Sequence, residues 1–186
     1  VLYSDFQCPF CQQFAGPIRE VESKGIDGVK TTVVFKHFPL SIHPNAQLTH
    51  QAAMAARAQG KFWEMHDLLF ANQQRVQRDD LVGYARKLGL DVARFTKDLD
   101  SDETKQAIAK DVEEGNRVGV TGTPSYTING KLYSGTRPLA DLKQLIVGDR
   151  LRMRALSEVT DAMLSTGEPS APVVVELYAD LQSPVT

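Results

Sequence analysis

The 186-residue sequence holds only two cysteines, a single tryptophan and no long apolar run. Two cysteines cannot build a disulfide framework, which excludes a small secreted domain stapled by bridges. Apolar or β-branched stretches such as Met54-Ala55-Ala56, within Ala52 to Ala56, and Thr31-Thr32-Val33-Val34-Phe35 fall far short of the ~18 residues of a membrane span. An excess of one charge is missing too, because 21 Lys+Arg oppose 23 Asp+Glu for a net charge of -2. Nothing in that balance attracts nucleic acid or an anionic membrane surface. The sequence has no Gly-rich phosphate loop, no paired catalytic carboxylates and no Ser-His-Asp ordering. At roughly 150 residues per domain, the length supports one sizeable core and not two. No targeting segment or Met precedes the strand-like Val1 to Phe6, so the sequence reads as an internal piece of a longer chain.

What the sequence does contain is concentrated at Cys8-Pro9-Phe10-Cys11. The opening strand runs through Gln7 into Cys8, and a helix pattern follows. Pro9 suits a first helical position, where its missing N–H would be unpaired anyway. Phe14, Ile18 and Val21 form a stripe that can face a sheet, and Pro17 within it predicts a kink. Lys30 to Lys36 is short and β-branched and reads as a buried second strand. Strand, helix and strand in this order suggest a βαβ unit with a right-handed crossover.

From Pro44 to about Asn116 the pattern is helical throughout. A first helix is expected from Pro44 to Gln59, stopping at Gly60. Phe62, Met65, His66 and Leu69 keep helical spacing, as do Leu81, Tyr84, Ala85 and Leu88 ahead of Gly89. Asp91 and Ser101 are candidate caps for two more helices. The β pattern resumes after Gly119, with Ser125–Ile128 and Lys131–Ser134 joined by Asn129-Gly130, a type I′ hairpin signal. Pro138 can open a helix carrying Leu139, Leu142, Leu145 and Ile146.

The chain therefore divides into a first α/β part (1–43), a helical insertion (44–116) and a second α/β part (117–147). A helix and linker follow (148–170), with a helical pattern from Arg150 to Leu164 and turn residues from Gly167 to Pro172. The last segment, 171–186, repeats the beginning. Glu176 to Thr186 aligns without gaps on Val1 to Cys11, with Leu, Tyr, Asp, Gln and Pro coinciding. Ser183 and Thr186 replace the cysteines, so the tail reads as the first strand of a second, redox-silent copy. Such a strand would lie against the first copy or pair with another chain, giving a dimer or strand exchange.

A C-x-x-C pair is also half of a zinc site, but His37, His43, His50 and His66 are scattered and none has zinc-motif spacing. No metal is expected. A pair at the joint of a strand and a helix suits redox work instead. Cys8 at the cap position would face the unpaired N–H groups of the first turn, which favour thiolate over thiol. Cys11, one turn further and less exposed, is placed to attack a mixed disulfide formed at Cys8. The second motif is Val118-Gly119-Val120-Thr121-Gly122-Thr123-Pro124, a proline among turn residues just before a strand.

Together these motifs resemble the thioredoxin superfamily and, more closely, its DsbA-like thiol:disulfide oxidoreductases. The resemblance covers roughly residues 1 to 147. It rests on Ser4 to Cys11, on Phe38-Pro39 with His43-Pro44-Asn45-Ala46, on Gly60 to Asp67, and on Gly119 to Pro124. It implies an α/β thioredoxin fold, a central mixed sheet flanked by helices, with an inserted all-helical subdomain. It makes Cys8 the nucleophile, Cys11 the resolving thiol, Pro9-Phe10 the active-site dipeptide, and Thr123 with cis-Pro124 the place where substrate backbone docks. The implied partners are protein or peptide thiols and a second redox protein that regenerates the pair. No cofactor beyond the Cys8–Cys11 disulfide is implied. The compartment is extracytoplasmic, a bacterial periplasm or cell envelope, because cytosolic dithiols are kept reduced. Reductase or isomerase activity would use the same pair. A reading from another class is a module of a tandem protein that binds substrates or partners.

Two positions depart from the family pattern. A buried acid six residues before the first cysteine is common in the superfamily, and here that position is Leu2. The dipeptide between the cysteines is Pro-Phe rather than the Pro-His of strongly oxidising members. Among other residues, Phe62, Trp63 and Met65 read as core packing, His43 as a helix-entry surface residue in preference to a neighbour of the dithiol, and Asp5 as a polar strand end in preference to a group acting on Cys8. Lys36 and His37 read as a strand end reaching solvent, and Arg150, Arg152 and Arg154 as a solvated face. Without a histidine between the cysteines, the pair should be moderately oxidising. Equilibration with glutathione should give a potential above about -260 mV, and a lower value would contradict the reading.

Overall fold

In the computed structural model, which describes residues 1–26 and 31–148, strand β1 (Leu2–Ser4) lies inside a four-stranded sheet. It pairs in parallel with β2 (Phe35–His37), Leu2 opposite Phe35 and Ser4 opposite His37. On its other side it pairs antiparallel with β3 (Ser125–Ile128), Leu2 opposite Tyr126. Strand β4 (Lys131–Ser134) completes the order β2-β1-β3-β4. Asn129 and Gly130 take φ of 47° and 84°, as a type I′ turn between β3 and β4 requires.

All three β1 residues are buried because both faces of the sheet are covered. On one face Leu2 and Tyr126 pack with Phe14, Ile18 and Val21 of α1 (Pro9–Lys24) and with Leu142 of α7 (139–148). On the other, Tyr3 packs with Phe38 and Val120. Alternation along the strand sends neighbouring side chains to opposite layers. Helix α6 (Asp102–Arg117) reaches this second layer through Gly115, where a Cβ would stand 2.8 Å from the Phe38 ring.

Between β2 and β3 the chain forms α2 (Ala46–Arg57), α3 (Phe62–Ala71), α4 (Arg78–Lys87), α5 (Val92–Asp100) and α6. Ala52, Ala53, Ala55 and Ala56 are fully buried, so α2 offers a flat face to its neighbours. Met65, Leu69, Leu81, Phe95 and Leu99 fill the core around it. The Asp91 side chain caps α5 by accepting from Arg94 N at 3.0 Å, and Ser101 caps α6 by accepting from Thr104 N at 3.1 Å. The architecture is the mixed sheet with flanking and inserted helices that the sequence implied.

Several local expectations change. The strand expected at Lys30 to Lys36 is confined to Phe35–His37, because β1 offers only Leu2–Ser4 to pair with. Helix α2 begins at Ala46, not Pro44, because Leu40 to Asn45 form turns instead, with His43 N bonded to Leu40 O and Ala46 N to His43 O. Helix α1 continues through Pro17. Of the three residues assigned to core packing, Met65 is fully buried, whereas Trp63 is half-buried under the Arg19 guanidinium, 4.8 Å from its ring. The helical pattern from Arg150 and the repeat at 171–186 lie outside the described residues.

His37 does not reach solvent, and Lys36 does so only in part, with 22% of its side chain exposed. Helix α6 crosses the end of β2 and brings Asp111 and Glu114 to 2.9 Å from Lys36 Nζ, and Asp111 also accepts from His37 N. His37 is buried with its Nδ1 2.7 Å from His50 Nδ1, its own ring against Phe35 and Phe62 and that of His50 against Phe6. One ring must donate and the other accept, so the two cannot both be protonated. Burial pushes the pKa of His37 down to about 4, with Arg57 and Lys36 adding to the shift and Asp111 opposing it. Burial and the neighbouring His37 hold His50 well below the ordinary range. An unfolded chain binds protons at these histidines below about pH 6.5, whereas the folded one does not until much lower. Stability should therefore be full above that pH and fall by about 1 kcal/mol per pH unit for each histidine as pH drops toward 4. Chemical denaturation at pH 7.5 and 4.5 checks this, and His50→Leu should flatten the slope. A wild-type slope of zero would rule the pair out.

Candidate active site at the start of α1

The dithiol sits where β1 gives way to α1. Cys8 is the cap residue, with extended φ and ψ of -73° and 122°, and Pro9 is the first helical residue. Proline lacks the N–H that would compete for the space, so the amides of Phe10 and Cys11 are the ones aimed at the Cys8 sulfur. Cys8 and Cys11 are both buried thiols, while Pro9 and Phe10 between them are exposed, Phe10 by 58%. Across from the helix start runs the loop before β3, where the Thr123–Pro124 peptide bond is cis. Cys8 Sγ lies 3.4 Å from the Thr123 carbonyl oxygen, so the two motifs, 115 residues apart, meet at one sulfur. The Thr123 hydroxyl is buried beside the two sulfurs, where it favours the thiolate form of each.

This geometry separates the two thiols electrostatically. A hydrogen bond from the Cys11 thiol lowers the Cys8 pKa most, the Cys11 and Phe10 amides add to it, and burial opposes them; the result is about 5. Cys11 moves the other way. Burial raises it first, and the bond it donates to Cys8 holds its proton further. The Asp5 amide pulls back, lying 3.5 Å from Cys11 Sγ. The pair at rest is thus one thiolate and one thiol, with the charge on the sulfur nearer the helix end.

Several residues that the sequence did not single out hold this arrangement. Gln73, from the segment joining α3 and α4, donates its Nε2 to the carbonyls of Phe6 at 2.8 Å and Cys8 at 3.0 Å. Gln12 Nε2 donates to Phe70 O at 2.6 Å, and Gln7 Oε1 accepts from Asn45 N at 2.6 Å. The inserted helices are tied to the dithiol loop from both sides. A lone glutamine carries no sequence signal for such a role.

Asp5 and His43 also differ from expectation. Asp5 is fully buried, and its carboxylate accepts from Gln7 N, Leu40 N and His43 Nδ1, each at 2.8 Å. His43 is mostly covered, with 18% of its side chain exposed. The turn before α2 folds back onto the end of β1, a contact that strand periodicity cannot foresee. Among the described residues, no group of three or more His, Cys, Asp or Glu side chains could hold a metal ion.

The sequence matches the DSBA-like thioredoxin domain over residues 1–147. The chain belongs to this family. A solved thioredoxin-like oxidoreductase from Silicibacter pomeroyi shares its fold with a TM-score of 0.70 and 26% identity, covering 82% of this chain and 84% of that one. The thiol-disulfide exchange protein alpha-DsbA2 from Wolbachia pipientis superposes with a TM-score of 0.71 at 19% identity, covering 81% and 79%. A Na(+)/H(+) antiporter NhaA 1 from Salinispora arenicola is 40% identical over 159 residues, 83% of this chain but 24% of the antiporter. An antiporter NhaA 3 from Salinispora tropica is 41% identical over 136 residues, 73% of this chain and 20% of that protein. This DSBA-like domain thus spans about a quarter or less of these curated relatives.

The charge separation has a direct consequence for reactivity. In the reduced domain only Cys8 should be alkylated by iodoacetamide at pH 6, at a rate that falls with a midpoint near pH 5. Cys11 should stay unmodified. Peptide mass mapping would decide, and a midpoint near that of an ordinary thiol, about 8.5, would contradict the assignment.

Proposed function

We propose that this domain is a thiol:disulfide oxidoreductase that forms or exchanges disulfides in protein substrates through the Cys8–Cys11 pair. The observation that carries the reading is the contrast between a low-pKa Cys8 at the helix start and a buried, protonated Cys11 behind it. In the oxidising direction a substrate thiolate attacks Cys8 Sγ of the Cys8–Cys11 disulfide. The intramolecular S–S bond breaks, a mixed disulfide forms, and Cys11 leaves as a thiolate that takes up a proton. A second substrate thiolate then attacks the substrate sulfur of the mixed disulfide. Cys8 departs as a thiolate, the substrate gains a disulfide, and the pair has accepted two electrons.

A leaving thiolate with a pKa near 5 departs readily, which favours passing the disulfide to substrate. The same groups run the reverse direction, so reduction and isomerisation use one machinery. Substrate backbone would dock at Thr123 and Pro124, which border Cys8 opposite the helix. A second redox protein must reoxidise the pair, and such an arrangement belongs outside the cytosol, where dithiols are not held reduced. No bound cofactor enters the cycle. The antiporter relatives favour a second feature, attachment of the module to a longer membrane protein, although no helix among the described residues is long and apolar enough to cross a bilayer.

Cys8→Ser should abolish turnover of a disulfide reporter peptide. Cys11→Ser should instead accumulate a Cys8-linked mixed disulfide visible by non-reducing mass spectrometry. Turnover that survives Cys8→Ser would overturn the function.

A further inference from the structure

Resolving a mixed disulfide at Cys8 calls for a nucleophilic Cys11, which is buried and holds its proton. When Cys11 attacks, its S–H bond breaks, the Cys8–Cys11 bond forms and the Cys8–substrate bond breaks. The substrate sulfur departs with the electron pair, and the net proton passes from Cys11 to it. Negative charge must therefore build on Cys11 Sγ inside the protein. The main-chain group aimed at that sulfur is the Asp5 N–H, 3.5 Å away. The same peptide unit is held at its other end by Ser4 O, which accepts from Phe38 N at 3.1 Å, and the Asp5 side chain anchors the residue from the opposite side. The buried Asp5 carboxylate is held between the Gln7 and Leu40 amides and the His43 imidazole, each at 2.8 Å. His43 is in turn fixed through its N–H to Leu40 O and its C=O to Ala46 N.

Resting on the oxidoreductase reading, we propose that Asp5 and His43 are a positioning pair for the resolving thiol. His43 locks the Asp5 carboxylate, and the locked residue keeps its N–H on Cys11 Sγ as charge develops there. The leverage is direct at one sulfur. The Asp5 amide touches Cys11, whereas it reaches Cys8 only through the Cys11 thiol, which together with the Cys11 and Phe10 amides favours the Cys8 thiolate. The two half-reactions should therefore respond differently to loss of the pair. His43 is the position to vary, since it is partly exposed and its removal leaves two amides on the carboxylate.

The experiment loads Cys8 of the full chain with glutathione and follows glutathione release by Cys11. In parallel it measures alkylation of Cys8 and the thermal midpoint. His43→Ala should slow release by about tenfold, the size of one charge-assisted hydrogen bond, while leaving Cys8 alkylation nearly unchanged. His43→Asn, whose amide N–H can take the place of the imidazole Nδ1–H, should restore most of the rate. Release that His43→Ala leaves unchanged overturns the pair, as does equal slowing of both reactions, and as does failure of His43→Asn to recover any rate. A wild-type chain that never releases glutathione overturns the oxidoreductase reading and this inference with it; release by wild type with an unaffected variant overturns only the pair.

Discussion

The hydrogen bond between the two thiols at the start of α1 is the interaction on which the rest of this structure depends. It works only if one sulfur lies at the helix end, where the first-turn amides favour an anion, and the other lies one turn inward, where burial disfavours one. The same bond lowers Cys8 and raises Cys11. Each proton state therefore supports the other, and a pair of identical residues acquires two distinct roles.

Everything around the pair serves to hold that helix start in place. The buried strand β1 delivers Cys8 to the edge of the core, and Pro9 sets the direction of the first turn. The loop before β3 brings the Thr123 carbonyl against Cys8 from the far side. The inserted helices are more than a cover. Gln73 between α3 and α4 grips the dithiol loop, Phe70 O of α3 accepts from Gln12 of α1, and the buried His50 and His66 pack against Phe6, two residues before Cys8. Aromatic and imidazole rings at such spacings add directional contacts to plain apolar burial. That layer also carries a cost, because two buried imidazoles must stay neutral for the fold to hold.

Local signals were readable in the sequence wherever one residue dictates its own neighbourhood. Pro9 marked a helix start, Asp91 and Ser101 marked caps, and Asn129-Gly130 marked a hairpin. The misreadings share one cause, which is that long-range contacts override local pattern. Pro44 has the credentials of a first helical residue, yet the chain there is committed to turns that carry His43 onto Asp5. Val33 and Val34 are strand-like, yet the register with β1 starts at Leu2 opposite Phe35, and Val34 contributes only its carbonyl to Leu2 N. His37 ends a strand, where solvent is the ordinary neighbour, but α6 returns from 74 residues later to bury it.

By itself, the sequence determined the chemistry that can happen: two thiols one helical turn apart at a strand-to-helix joint, with no other cysteine or catalytic motif to compete. Spacing along a helix is a local property, so it survives whatever the remainder of the chain does. Only the tertiary structure decided which groups face those thiols. The Thr123 carbonyl, the Gln73 amide and the Asp5–His43 pair reach the site across separations of tens of residues or through a turn. No periodicity encodes such meetings, because they follow from how the sheet and the inserted helices close on one another.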